Sequence, residues 1–385
     1  MAIQKLTIEE FLELSRQYPV LDVRSPGEYD HAHIPGAYSL PLFTDEERKV
    51  VGTTYKQQSR EAAIKVGLDY FGVKMKKMVE EAEGIIKNEE LKMKNENAIN
   101  SNNPVPPPAG GGGGGILVHC WRGGMRSAGV AWLLDLYGFK VYTLAGGYKA
   151  YRKWVLAQFE KEYDFHIIGG YTGSGKTEVL NELLKQNKPI IDLEDLANHK
   201  GSAFGSIKDK PQPKQEMFEN CLAERLADVR WSLAGENGES TINDQRSTAI
   251  YLEDESQRIG NLQIPMPLWY TMRRSPVYFL DIPFEERLDY ITGEYGKIEK
   301  ERLNEAIVRI QKRLGGLETK NAIRFLEEGN LKDCFRILLS YYDKWYSKGL
   351  NNRENLASLL NKIPCKGVDT KTNVQKLLSC KTVSA

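Results

Sequence analysis

Two short stretches hold the side chains best suited to chemistry. The first is VHCWRGGMRSAG, residues 118–129, in which Cys120 follows an apolar run and precedes Trp121, Arg122, Gly123, Gly124, Met125 and Arg126. A cysteine between a buried strand and the start of a helix meets inward-turned backbone N–H groups at the positive end of the helix dipole. Both effects favour the thiolate, the nucleophilic form, and Arg122 and Arg126 add positive charge nearby. The second is GGYTGSGKT, residues 169–177, which carries G-x-x-x-x-G-K-T from Gly170 to Thr177 through Thr172, Gly173, Ser174, Gly175 and Lys176. It follows the apolar run FHII and precedes the helical pattern EVLNELLKQ, the context in which such a loop wraps phosphates with its amides. Lys176 supplies charge to the terminal phosphate and Thr177 a hydroxyl for Mg²⁺. Asp281, closing the strand VYFLD, is the candidate second metal contact, with a simple strand cap as the alternative. Arg287 is a candidate phosphate contact, with a surface helix position as its alternative.

Cys120 and Arg126 are separated by five residues, which is also the phosphatase spacing for holding a tetrahedral oxyanion. The residues alone therefore leave open whether sulfur, selenium or phosphorus is attacked. The other four cysteines, 221, 334, 365 and 380, lack a glycine- and arginine-rich setting and read as structural. With five cysteines in all and no CxxC pair, reduced thiols in a cytoplasmic setting are expected.

The elements that must position these loops alternate between strand and helix. VLDV (20–23), ILVHC (116–120) and 141–144 read as buried strands, Ser25-Pro26-Gly27 and Gly146-Gly147-Tyr148 as turns, and about 128–137 as a helix. A charged helical tract spans roughly 56–95, and 96–115, polar, then proline-rich, then all glycine, reads as a flexible insertion. A helical connector near 149–162 leads to a second unit with strands at 165–170 and 277–282. Leu303, Ile307, Ile310 and Leu314, and then Leu331, Phe335, Leu338, Tyr342 and Trp345, fall at helical spacing as core-facing stripes. The fold class is α/β: a parallel-sheet domain over 1–152, then a P-loop NTPase-like domain over 163–348 with a helical C-terminal part. Residues 349–385 are expected to be a loose tail.

At 385 residues the chain suits two domains, and 53 Lys+Arg against 52 Asp+Glu gives no global field that advertises a polyanion. The N-terminus carries no signal peptide pattern and no apolar run is long enough to span a membrane.

LDVRSPGEYDHAHIPGA (21–37) resembles the opening motif of rhodanese domains, with Asp22 and Arg24 expected as a structural ion pair and His33 as a hydrogen-bonded scaffold residue. A rhodanese domain joined to a P-loop domain resembles the tRNA 2-selenouridine synthase family over nearly the whole chain. The resemblance also rests on ERKVVGTTYKQ (47–57), GGYKAYR (146–152), DLEDLANHKGSAFG (192–205), PQPKQEMFE (211–219) and EDESQRIGNLQIP (253–265). The chain departs from the family at the 96–115 insertion and at Lys200, where arginine is usual; lysine keeps the charge but not a bidentate contact.

The resemblance implies an enzyme that replaces the sulfur of a wobble-position 2-thiouridine in tRNA by selenium. Selenophosphate would be the donor, and the path would run through an S-geranylated intermediate made from geranyl diphosphate. Cys120 would then take up selenium, and the P-loop, with Mg²⁺, would hold the diphosphate. Candidates for gripping the tRNA are Trp269, Arg273, Arg274, Arg309, Lys312 and Arg313, each with a solvated helix face as the alternative. Without the resemblance, the two motifs also permit a phosphatase-like domain fused to a P-loop small-molecule kinase, or a regulatory fusion without catalysis.

Overall fold

The computed structural model describes residues 3–99, 115–199, 211–234 and 249–380, so most of the 96–115 insertion and Lys200 lie outside the described residues. The chain divides into two compact units, Met1–Ala157 and Gln158–Ala385.

The first unit runs β1 (Gln4–Leu6), α1 (Ile8–Leu14), β2 (Val20–Asp22), α2 (Pro26–His31), β3 (Tyr38–Ser39), α3 (Asp45–Gln57), α4 (Arg60–Ile99), β4 (Gly115–His119), α5 (Met125–Tyr137), β5 (Lys140–Leu144) and α6 (Gly147–Gln158). Its five strands pair in the order β1-β5-β4-β2-β3, all parallel. The central strand β4 is buried along its whole length, which is why GILVH reads as a continuous apolar run. Burying each large aliphatic side chain there contributes about 1.5–3 kcal/mol. Leu21, Ile116, Val118, Val130 and Leu134 share one core with Phe71 and Met78 of α4.

Two expected turns are helix starts. Ser25 caps α2 through a capping box with Glu28 and Pro26 takes the first turn, so Ser-Pro-x-Glu begins a helix here. Gly147 opens α6, and α5 begins at Met125, which places Met125 and Arg126 in its first turn.

The second unit runs β6 (Phe165–Gly169), α7 (Lys176–Lys185), β7 (Ile190–Ile191), α8 (Leu193–Leu196), α9 (Gln215–Ala234), β8 (Ile250–Glu253), a small β9 (Arg258–Ile259) and β10 (Leu262–Gln263) ribbon, α10 (Met266–Arg274) and β11 (Val277–Asp281). Helices α11 (Phe284–Tyr295), α12 (Lys300–Leu314), α13 (Gly316–Glu327) and α14 (Leu331–Asn351) follow, then α15 (Leu356–Leu359), β12 (Leu360–Pro364) and α16 (Thr370–Ser379). The parallel sheet has the order β12-β11-β6-β8-β7. Leu303, Ile307, Leu314, Phe335 and Leu338 meet in the helical core as expected, whereas Trp345 at the end of the second stripe is 46% exposed.

Residues 349–380 are not a loose tail. β12 pairs along its length with β11, from Leu360 opposite Val277 to Pro364 opposite Asp281. Ile363, Cys365, Val374 and Leu377 join Val179, Leu180 and Leu183 of α7 in the core. The segment looks polar because an edge strand and a one-sided helix need only these few apolar positions.

Candidate functional site

In the first unit, Cys120 follows the central strand β4 and lies at the C-terminal edge of the sheet. Here the connections from β2 and β4 run to opposite sides, the place where open α/β sheets leave a crevice. Its Sγ lies 3.2 Å from the Ser127 hydroxyl, whose single proton can go to the sulfur or to Gly124 O (3.1 Å). Burial by itself pushes the Cys120 thiol up. Hydrogen bonds from the Ser127 hydroxyl and from the backbone amides of Ser127, Gly124 and Arg122 outweigh it, so the thiol is held below its ordinary range.

The loop is closed by the chain that follows β5. Tyr148 N and Lys149 N donate to Cys120 O (2.8 Å) and Trp121 O (3.0 Å). Gly147, at φ +59°, comes so close that an added Cβ would stand 2.2 Å from Cys120 O and 2.5 Å from Gly123 N. Gly123, at φ +62°, is packed the same way against Leu144 O.

Of the two arginines, Arg122 is exposed, whereas Arg126 donates to Glu28 at 2.8 Å and is tied to the scaffold. Trp121 and Met125 are exposed. Behind the loop, Asp22 and Arg24 are a buried pair (Nη2 to Oδ2, 2.6 Å); Arg24 also donates to Ala32 O and lies 3.8 Å over the Tyr148 ring. His33 stacks on Tyr29 with its Nδ1 2.9 Å from Tyr29 O.

In the second unit, residues 170–175 wrap the N-terminus of α7, with Gly170, Gly173 and Gly175 all at positive φ. Lys176 Nζ donates to Gly170 O (3.0 Å), and Gly170 N donates to Tyr346 Oη (3.1 Å). Thr177 Oγ1 donates to Glu253 Oε1 (2.9 Å) at the end of β8, the strand beside β6. Glu253 and Glu255 form with Glu194 a group of carboxylates whose ligand atoms lie within 4.8 Å of one another. Burial first, then the Glu194 and Asp192 charges, push Glu253 up to about 8 against the pull of Lys176. These acids were not singled out from the sequence, although Glu194 falls in DLEDL and the other two in EDESQ.

Asp281 is exposed, does not line the P-loop cavity, and accepts from Cys365 N through its backbone carbonyl. Nor is Arg287 a surface residue. At 3% exposure it pairs with Asp343 through both terminal nitrogens (3.0 and 2.7 Å) and donates to Thr172 O (3.0 Å), bracing the P-loop from behind.

The cavity over the P-loop is about 350 Å³. Its lining combines the loop, Lys176 and the carboxylates with the apolar and aromatic side chains of Ile291, Tyr295, Tyr342, Trp345, Tyr346 and Leu350, of which Tyr346 and Ile291 lie against the loop itself. Arg273 reaches the same cavity and donates to Gly349 O, while Arg274 is exposed and Trp269 half-buried beneath the Arg273 guanidinium. Arg309, Lys312 and Arg313 lie on the outer face of α12, away from the cavity lining.

Residues 7–153 match the rhodanese-like domain family, and residues 163–362 match the family described as the tRNA 2-selenouridine synthase AAA domain. A tRNA 2-selenouridine synthase of Bdellovibrio bacteriovorus is 31% identical, over 92% of this chain and 94% of its own. Another, of Pseudomonas fluorescens, is 33% identical over 86% and 88%. The chain belongs to the tRNA 2-selenouridine synthase family. Cys120, Ser127 and Gly147 fall in its rhodanese-like segment, and the P-loop, the three glutamates and the aromatic wall in its family-specific segment. Helix α16 lies beyond the matched residues yet packs on α7 directly behind the P-loop.

Proposed function

We propose that this protein is a cytoplasmic tRNA 2-selenouridine synthase. It replaces sulfur by selenium in wobble-position 2-thiouridine, with selenophosphate as donor and an S-geranylated nucleoside as intermediate. The observation that supports the geranyl step is the mixed lining of the cavity, which brings the loop and Lys176 together with Ile291, Tyr295, Tyr342, Trp345 and Leu350. A geranyl diphosphate needs both kinds of surface: its anionic head suits the loop and its branched hydrocarbon tail suits the apolar side chains. The thiouridine sulfur would attack C1 of the geranyl group as the C–O bond to diphosphate breaks, and Lys176 would stabilise the departing charge. Geranylation turns the base's sulfur into a leaving group that a selenium nucleophile displaces at C2 as geranylthiol. Cys120, held toward its thiolate by Ser127 and three backbone amides, supports attack on the phosphorus of selenophosphate, in which the P–Se bond breaks, the phosphoryl group stays on the sulfur and selenide leaves as the nucleophile that displaces geranylthiol.

If Mg²⁺ serves the leaving diphosphate, Thr177 and Glu253 suit it better than Asp281, because Glu253 faces Thr177 within the cavity. When bound, the ion would neutralise charge on the diphosphate.

The test supplies thiolated tRNA and geranyl diphosphate, then selenophosphate, and weighs the nucleosides by mass spectrometry. Cys120→Ser should abolish selenation and leave geranylation intact, and Lys176→Ala should impair geranylation. Full selenium incorporation by Cys120→Ser would remove the role given to the thiolate. Absence of both products, together with ATP-dependent phosphorylation of a metabolite, would return the chain to the kinase reading.

A further inference from the structure

We propose that Glu194, Glu253 and Glu255 form a divalent-cation site beside the P-loop, built by the protein alone and able to fill before any phosphate ligand binds. Among the described residues, these are the side chains whose ligand atoms converge within 4.8 Å. They come from separate places in the fold: Glu194 from α8, Glu253 from the last position of β8, and Glu255 two residues beyond it.

A second observation points to a ligand. Glu253 is 1% exposed, and although its Oε1 accepts from Thr177, its Oε2 is buried with no hydrogen-bond partner. A buried carboxylate oxygen without a donor is costly, and a metal ion among neighbouring carboxylates removes that cost.

The charge around the cavity points the same way. Besides the three glutamates it is lined by Glu178, Asp254 and Glu294, against Lys176 and Arg273. Asp254 is already paired with Arg353, and Lys176 is turned to Gly170 O. A cation held by these carboxylates would offset their charge toward an incoming diphosphate. All-oxygen ligation selects a hard ion, Mg²⁺ or Mn²⁺, over thiophilic metals. In most P-loop proteins the nucleotide brings much of the metal's coordination; here the protein supplies three carboxylates of its own. The purpose assigned to the ion rests on the diphosphate reading above, whereas its binding does not.

The experiment uses the full chain, stripped with chelator and titrated with Mn²⁺ in the absence of phosphate compounds and tRNA. Free Mn²⁺ is followed by its electron paramagnetic resonance signal. Saturable binding is expected, weakened at least about 10-fold in both Glu253→Gln and Glu255→Gln and unchanged in Asp281→Asn. Mn²⁺ should also raise the melting temperature of the wild type and not that of Glu253→Gln. Should Glu253→Gln fail to fold, Glu255→Gln, at a partly exposed position, decides alone. No saturable binding, equal affinity in the glutamine variants and wild type, or loss of binding in Asp281→Asn instead would overturn the proposal. Because no substrate is present, a failure of geranylation in the mass-spectrometric assay leaves this titration unaffected, and the two readings fail separately.

Discussion

Arg287→Met tests whether this arginine supports the P-loop or reads a phosphate. Its guanidinium makes both terminal contacts to Asp343, donates to Thr172 O and, through Nε, to Ile282 O (3.2 Å), and lies 4.9 Å over the Tyr171 ring. Methionine fills much of the volume but leaves Asp343 without its partner and two carbonyls without their donor. Removing one member of a buried pair costs about 3–5 kcal/mol. Asp343 keeps 18% of its side chain in solvent, so the lower end, about 3 kcal/mol, applies. At about 2–4 °C per kcal/mol for a unit of this size, the melting temperature should fall by about 6–12 °C. Burial already holds Asp343 above the ordinary carboxylate range even beside Arg287. Without the arginine its folded pKa rises further. An acid with a raised folded pKa loses stability as pH climbs through its unfolded value toward the folded one, so the deficit should shrink as pH is lowered from 8 to 5. Scanning calorimetry at several pH values measures this, and Arg287→Met/Asp343→Leu should recover over half of the loss. An Arg287→Met protein that melts like the wild type, yet no longer binds a diphosphate, would refute the bracing role and restore the phosphate contact.

Other consequences can be checked separately. Ser127→Ala removes a hydrogen bond to the Cys120 sulfur worth about 1.5–3 kcal/mol, so the pH midpoint of its iodoacetamide alkylation should rise by about one to two units. Burial pushes Cys221 and Cys334 up to about 11, so they should stay silent in the same intact-mass experiment, and an unmoved midpoint would show that Ser127 does not hold the thiolate. Gly147→Ala places a methyl against Cys120 O at a positive φ, and selenation should fall more than about 10-fold while geranylation persists. Equal losses of both activities would point to general unfolding instead of a displaced cysteine loop.

Much of this was legible because both loops are contiguous. Cys120 to Arg126 and Gly170 to Thr177 carry their own turn glycines and sit between an apolar strand and a helix, so spacing alone located them. The misread turns at Ser25 and Gly147 were local too: Ser-Pro-x-Glu is a capping box, and Gly147 is glycine because the cysteine loop lies against it. What spacing does not carry is tertiary. Arg287 and Asp343 are far apart in sequence and each reads as an ordinary charged helix position, so only packing reveals them as a pair. Tyr342 and Trp345 continue an apolar stripe that begins in the core and ends at the cavity. Residues 360–380 hold too few apolar positions to signal a strand and a helix, because they cover only one edge of a finished sheet.

The acid opposite Thr177 illustrates why the missing information is register. IYLE and VYFLD are both short apolar strands ending in a carboxylate, and both flank β6. Nothing in their composition favours one over the other. Pairing does: Glu253 lies opposite Ile168, level with the end of β6, so its side chain meets the first turn of α7. On the other side Phe279 pairs with Gly169, which carries Asp281 two residues past the end of β6, out of the cavity and beside β12. The same logic holds in the first unit, where the cysteine loop on β4 is closed by amides that follow β5. In each unit a nucleophile or phosphate loop is written in one segment, and the group that completes it arrives from the neighbouring strand, at a position set only when the sheet has formed.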